Sequence, residues 1–257
     1  KKSLGQNFLI DRNILNQIAD LIDIEGKTIL EVGPGTGNLT KFLLKKKPKK
    51  FFVVEKDNDL VLLLNKSFGN KITIFNQDIL KVNENFICND QIIVFGNLPY
   101  NISTEILSKW IHGLNEKKWC SHLILMFQKE VADRIISKFN SSKYGRLSIL
   151  ANWKFEIKKI IDVKPNSFLP KPKIDSSILF LSPKKKFFKF KDSKNLELIT
   201  RTFFNQRRKM IKKPFNKLFK GKIDILKKLN ITSDLRPQNL DFETYFKLAG
   251  EYEKLIS

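Results

Sequence analysis

Cysteine, histidine and acidic side chains are all scarce in this chain. Its 257 residues hold two cysteines, two histidines and 26 Asp+Glu, against 48 Lys+Arg. Cys88 and Cys120 lie far apart with no second ligand pair near either. That excludes a disulfide framework and suggests free thiols in a reducing compartment. His112 and His122 are too isolated for a metal site and read as residues of ordinary surfaces or helix ends, so no metal is expected. No apolar run reaches membrane-spanning length, no signal peptide opens the chain, and no solenoid-type repeat is present. The chain starts abruptly at Lys1, so native residues are expected before it.

The shortage of acids leaves a formal charge of +22. Such an excess points to a polyanion, most often nucleic acid, although lysine in place of arginine can also reflect base composition. An anionic membrane is the poorer partner, because no long basic amphipathic helix stands apart from the fold.

The chain is organised around FGNLPYNIS, Phe95 to Ser103. Gln91 to Phe95 is apolar and β-branched, as in a buried parallel strand. Asn97, Leu98, Pro99 and Tyr100 then fall at the strand's carboxyl end, where open α/β sheets bind ligands. Pro99 stiffens the turn and holds Leu98 extended. The Asn97 oxygen and the Leu98 carbonyl can accept both hydrogens of an exocyclic amine, and Tyr100 can stack on its ring. The plain alternative is a proline turn with Tyr100 as packing.

Upstream, Asp11 is a candidate N-cap for a helix carrying Ile14, Leu15 and Ile18. Thr28 to Val32, the glycine turn Gly33-x-Gly35-x-Gly37 and a helix from Leu39 make half of a βαβ unit. A dinucleotide fingerprint needs glycine where Asn38 stands, and no phosphate-loop lysine follows, so no diphosphate is implied. FFVVE ends on Glu55, eighteen positions after Gly37, a spacing at which an acid accepts hydrogen bonds from a ribose diol. Alternatively Glu55 belongs to a helix N-terminus with Asp57 and Asp59. Asp78 follows the third strand, KITIFNQD, and by itself reads as a turn residue. RLSILANW reads as a helix. KFEIKKIIDV and SSILFLS are expected to pair antiparallel at the sheet edge. Between them, KPNSFLPKPKID is a stiff basic loop displaying Phe168, either as packing or as a stacking face opposite Tyr100. SPKKKFFKFKDS reads as a linker that lies against the core with lysines outward. The remainder is helical in composition, and Arg207, Arg208, Lys209, Lys212 and Lys213, beside a proline-broken helix, are its densest basic cluster, a phosphate-contacting surface or a solvated face.

The ordered series GQNFL, EVGPGTGNLT, FGNLPYNIS, FQKEVADR, YGRLS, NSFLPKPKIDS and FNQRRK resembles the bacterial small-subunit rRNA adenine dimethyltransferases, the kasugamycin-resistance family, along the whole chain. The resemblance implies an α/β fold, a Rossmann-like class I methyltransferase sheet, mostly parallel with an antiparallel edge strand, and a small C-terminal helical domain. It suggests a catalytic domain over 1–182, a linker over 183–192 and a helical RNA-binding domain over 193–257. It implies S-adenosylmethionine as cofactor, held by Asn7, Leu9, Gly33, Gly35, Glu55, Asp78 and Asn97, with the Asn7 loop as a lid. It implies an adenine pocket of Asn97, Leu98, Pro99, Tyr100 and Phe168. The implied reaction is dimethylation at N6 of two adjacent adenosines in the 3′-terminal hairpin of 16S rRNA, by a cytoplasmic monomer, on the immature small subunit.

Overall fold

The computed structural model describes residues 7–84, 87, 90–114 and 118–256. They divide into two compact units. One comprises the chain to Ala132 together with Glu156–Pro183; the other comprises Asp133–Phe155 and everything from Lys184.

The first unit opens with β1 (Phe8–Leu9) and α1 (Arg12–Ala19). Asp11 caps α1, its carboxylate accepting from the Asn13 and Ile14 amides. Then come β2 (Thr28–Val32), α2 (Asn38–Leu44), β3 (Lys50–Val54), α3 (Asn58–Phe68), β4 (Thr73–Phe75), β5 (Ile92–Asn97), α4 (Ser103–Gly113), β6 (Cys120–Gln128), α5 (Lys129–Ile135), β7 (Phe155–Val163), β8 (Phe168–Leu169) and β9 (Ser176–Pro183). Seven strands form one sheet in the order β4-β3-β2-β5-β6-β9-β7, and β1 pairs with β8 in a separate ladder. β2 is parallel to both β3 and β5, and every one of its residues is buried. A mainly apolar run such as TILEV is stable only with both sheet faces covered, and its two polar residues, Thr28 and Glu31, are buried with the rest. The order reverses between β2 and β5, and that switch point opens a crevice at their carboxyl ends.

The antiparallel strand is not at the edge. β9 runs antiparallel to β6 and lies between it and β7, which takes the outer position. A strand entering antiparallel needs no crossover helix, so β9 can follow β7 by a loop and lie between it and β6. His122 is not at a helix end but half-buried on the sheet. It stands on β6 with its ring 5.1 Å from that of Phe180, and burial lowers its pKa.

The second unit consists of α6 (Arg146–Lys154), α7 (Lys194–Phe204), α8 (Lys212–Phe219), α9 (Asp224–Lys228) and α10 (Phe242–Ile256). Leu196, Ile199 and Phe203 form the buried stripe of α7, facing Tyr245, Leu248 and Ala249 of α10. The buried Tyr245 hydroxyl donates to the Pro237 carbonyl at 2.7 Å. The expected boundary at 182 misses Asp133–Phe155, which clusters with these helices. Tyr144 is the reason. Its ring lies 5.9 Å from Phe204 and 5.5 Å from Phe242, contacts between residues some sixty to a hundred positions apart. The expected linker is a fixed strap, since the Trp153 indole donates to the Phe188 carbonyl at 2.7 Å. Among the described residues no helix is long and apolar enough to cross a membrane.

Candidate active site

Three turns meet at the switch point. The first follows β2. Gly33, Gly35 and Gly37 all have positive φ, at 67°, 58° and 78°, which a side chain would strain. A Cβ on Gly35 would also come within 2.5 Å of the Phe8 ring. The missing side chain therefore lets β1 close against the glycine turn. The Asn38 amide donates to the Leu9 carbonyl at 2.8 Å and ties the same two segments.

Glu31 anchors this turn from below. It is 2% exposed, and its carboxylate accepts from the Thr40 hydroxyl at 2.6 Å, joining β2 to α2. Burial, opposed by the Thr40 bond and reinforced by the Glu55 charge, pushes its pKa up to about 7. A carboxyl raised from 4.5 to about 7 on folding stabilises the fold below its unfolded pKa. That stability is lost as pH rises through the folded value, by roughly 3 kcal/mol. The wild-type stability relative to Glu31→Gln is thus expected to fall between pH 4.5 and about 7, followed by thermal melts. A constant difference across that window would remove Glu31 as its source.

The second turn follows β3. The Glu55 carboxylate accepts from the Lys56 and Asp57 amides, each at 2.9 Å. Burial raises its pKa, and the amides of Asp57, Lys56 and Gly35 oppose that rise. Asp78, beyond β4, accepts from the Leu80 amide at 3.0 Å and pairs with Lys56 at 2.8 Å. The Lys56 bond is the main reason its pKa is lowered. Glu55 and Asp78 share a cavity of about 160 Å3 walled by Val32, Ile79, Leu80 and Ile102. Two acceptors on apolar walls suit a nucleoside, whose flat base wants burial and whose hydroxyls and amine want partners.

The third turn is Asn97 to Tyr100. The Asn97 side-chain nitrogen donates to the Asn7 carbonyl at 2.9 Å. Its oxygen is thereby left as acceptor, and neither it nor the Leu98 carbonyl accepts a hydrogen bond among the described residues. The Leu98 side chain is buried against Gly96, where a Cβ would approach it to 2.8 Å. The Tyr100 hydroxyl lies 2.5 Å from that of Ser176. Burial raises its pKa, so the ring is presented as a neutral phenol held at its far end.

Asn7, Gly33, Gly35, Glu55, Asn97, Leu98, Pro99 and Tyr100 line one cavity of about 60 Å3, and Gly33, Glu55 and Pro99 also border the Asp78 cavity. The sequence-expected residues are thus largely brought together. Leu9 is buried in the core and lines the deeper space beside Glu31. Phe168 departs from expectation. It is 1% exposed, belongs to the core and lines none of these cavities. On the β1–β8 ladder Phe168 opposes buried Leu9, and Leu169 takes the outward position, because successive strand residues face opposite ways. Sequence reasoning missed Phe8, which lines two of the cavities, and Ser176, which holds Tyr100. The empty side-chain position at Gly35 was the available signal for Phe8.

Of the basic cluster, Arg208, Lys209, Lys212 and Lys213 are exposed. Arg207 is half-buried, donating to the Ser141 carbonyl at 2.8 Å, which makes it a brace within the helical unit. The helix breaks between α7 and α8, ahead of Pro214. That proline stands in the first turn of α8, where its missing N–H is harmless.

An acid-lined crevice at the switch point, with an Asn-Leu-Pro-Tyr turn whose acceptors have no partner among the described residues, fits the class I S-adenosylmethionine-dependent methyltransferases. Solved structures agree. A dimethyladenosine transferase from Plasmodium falciparum is similar at a TM-score of 0.83 and 27% identity, over 96% of this chain and 98% of that one. The 23S rRNA methyltransferase ErmE shares the fold at a TM-score of 0.71 and 21% identity, over 96% of this chain and all of that one. The chain belongs to the ribosomal RNA adenine dimethylase family, which it matches over residues 1–254. It is 62% identical over 255 residues to ribosomal RNA small subunit methyltransferase A of Pelagibacter ubique, covering 99% of this chain and 97% of that protein. The protein of the same name from a Wolbachia of Drosophila simulans is 40% identical, over all of this chain and 94% of its own. The chain is an S-adenosylmethionine-dependent rRNA adenine dimethyltransferase.

Proposed function

We propose that this enzyme dimethylates N6 of two adjacent adenosines in the 3′-terminal hairpin of 16S rRNA, as a cytoplasmic monomer acting on the immature small subunit. The observation that carries the adenine chemistry is the pair of acceptors without a partner among the described residues, the Asn97 oxygen and the Leu98 carbonyl, beside the Tyr100 ring. The small-subunit target is supported by relatives that bear that name and match end to end.

The residues fit the cofactor. Glu55, held by backbone amides and facing the cavity, would accept from a ribose diol, and Asp78 from an adenine amine, with Gly33 and Gly35 allowing close backbone approach. S-adenosylmethionine, when bound, supplies a methyl group made electrophilic by its sulfonium. The rest falls to the chain. The target amine's lone pair is delocalised into the adenine ring and is a poor nucleophile. In the first transfer the Asn97 and Leu98 oxygens, by holding both its hydrogens, favour a tetrahedral nitrogen and aim its lone pair; in the second, one hydrogen remains for them to hold, and the first methyl takes the place of the other. No strong base is needed, since the proton becomes acidic only as the new bond forms, and it leaves to water from the Asn97–Leu98 acceptors. Catalysis is positioning with electrostatics. Tyr100, fixed through Ser176, replaces the stacking that the base loses on leaving its neighbours in the strand.

Labelled-methyl transfer to immature small subunits, compared with 23S RNA, tests the reading. Incorporation into two adjacent adenosines of the small subunit is expected, and exclusive labelling of 23S RNA would overturn it.

Arg208, Lys209, Lys212 and Lys213 serve as phosphate contacts in this reading. Neutralising Arg208 and Lys209 should weaken subunit binding and shallow its salt dependence by about two ion releases, with cofactor affinity unchanged. A filter-binding titration reads the slope; an unaltered slope would make these cations a solvated surface.

A further inference from the structure

The strap from Lys184 carries alternating phenylalanine and lysine that the site above does not use. It forms one wall of a groove of about 950 Å3 within the helical unit, with Phe188, Phe190, Leu229 and Gly250 among its lining. Phe188 is 38% exposed. Its ring rests where a Cβ on Gly250 would approach to 3.0 Å, and its centroid lies 4.9 Å from that of Phe190. The wall is rigid. The Phe188 carbonyl accepts from Trp153 at 2.7 Å, and the Lys191 and Asp192 amides donate to Glu253 at 3.1 and 3.0 Å.

Five lysines line the groove, at 189, 191, 228, 247 and 254, against two carboxylates. Both carboxylates are committed. Glu253 is buried and takes the strap amides together with Asn195, and Glu251 lies between Lys228 and Lys254, at 2.8 and 2.7 Å. Lys247 also pairs with Glu243 at 2.9 Å, so five lysines meet three carboxylates and the groove keeps a net positive charge around an exposed aromatic face. An acidic rim would repel phosphate, and a purely aliphatic floor would not favour a base over any other apolar group. This combination of a stacking platform and flanking cations fits single-stranded nucleic acid. A-form duplex cannot use it, because its bases are already stacked.

We propose that this groove is a second RNA contact, which stacks one unpaired base on Phe188 and pairs the adjoining phosphates with its lysines. The proposal rests on the reading of the chain as an enzyme of rRNA. It would grip an unpaired segment of the substrate.

The test uses the full chain, a fluorescein-labelled short oligoadenylate and a blunt RNA duplex, followed by anisotropy. Phe188→Ala and Phe188→Leu are both expected to weaken oligoadenylate binding about tenfold, within the range for loss of one base–aromatic stack. Phe188→Tyr should bind as wild type, duplex affinity should not move, and the salt slope should stay the same, because no phosphate contact is lost. Unchanged thermal melts and Trp153 emission would show that the strap is still seated. The proposal is overturned if oligoadenylate affinity is the same in Phe188→Ala and wild type, if duplex binding falls equally, or if Phe188→Leu binds as wild type. It is also overturned if only a labelled polyglutamate peptide depends on Phe188, which would make the groove a protein contact. Methyl transfer by wild type to small subunits is measured alongside, so failure of the groove and failure of the proposed activity are read separately.

Discussion

Replacing Asn97 with alanine is expected to slow methyl transfer by about 10²–10³-fold, the effect of deleting one preorganised polar group at a reacting centre. The side chain is aimed before any substrate arrives. Its nitrogen is engaged by the Asn7 carbonyl at 2.9 Å, which points its oxygen as the remaining acceptor. Alanine removes that acceptor and leaves the Leu98 carbonyl alone to hold the amine. Asn97 also borders the space assigned to the cofactor, so the rate is to be read in single turnover with enzyme and cofactor saturating. Subunit affinity should change little, since phosphate contacts dominate it. A folded Asn97→Ala protein that transfers at a near-normal single-turnover rate would sink the mechanism, because the oxygen would then only complete a turn.

Glu55→Ala is expected to weaken cofactor binding by about a hundredfold or more. A carboxylate accepting from both ribose hydroxyls makes two charge-assisted hydrogen bonds, each worth roughly 1.5–3 kcal/mol. The substitution also frees the Lys56 and Asp57 amides that Glu55 accepts. Glu55→Gln is the sharper companion, since it keeps one oxygen for those amides, on which both converge, and replaces the charge and the second acceptor with an NH2 donor. Calorimetry with S-adenosylmethionine should place glutamine between wild type and alanine. Wild-type affinity in both folded variants would remove Glu55 from the site. Small-subunit binding should be far less affected, because none of the exposed cations assigned to phosphate contact is altered.

The sheet and most of its site were legible in the chain because their signals are local. Parallel strands buried on both faces are predominantly apolar, so TILEV, FFVVE and QIIVF announce themselves, and the turns that follow them must fall on one edge of the sheet. Asn97, Leu98, Tyr100 and Glu55 could be placed at that edge from spacing, whereas Asp78 by itself reads as a turn residue and joins the site only through the resemblance. What the spacing could not supply was direction. Phe168 lies on a loop that reads as displayed, yet a two-residue ladder with β1 turns it into the core and sends Leu169 outward. Arg207 is one of five neighbouring cations in the sequence, and only its bond to Ser141 distinguishes it as structural. Tyr144 draws Asp133–Phe155 into the helical unit through rings far away along the chain. Sequence by itself determined which residues stand at strand ends and how the charge is distributed, because periodicity and composition are properties of neighbours. Only tertiary structure decided which side chains face the cavity, which are braced and where one unit gives way to the next, because those depend on contacts between residues that no local pattern connects.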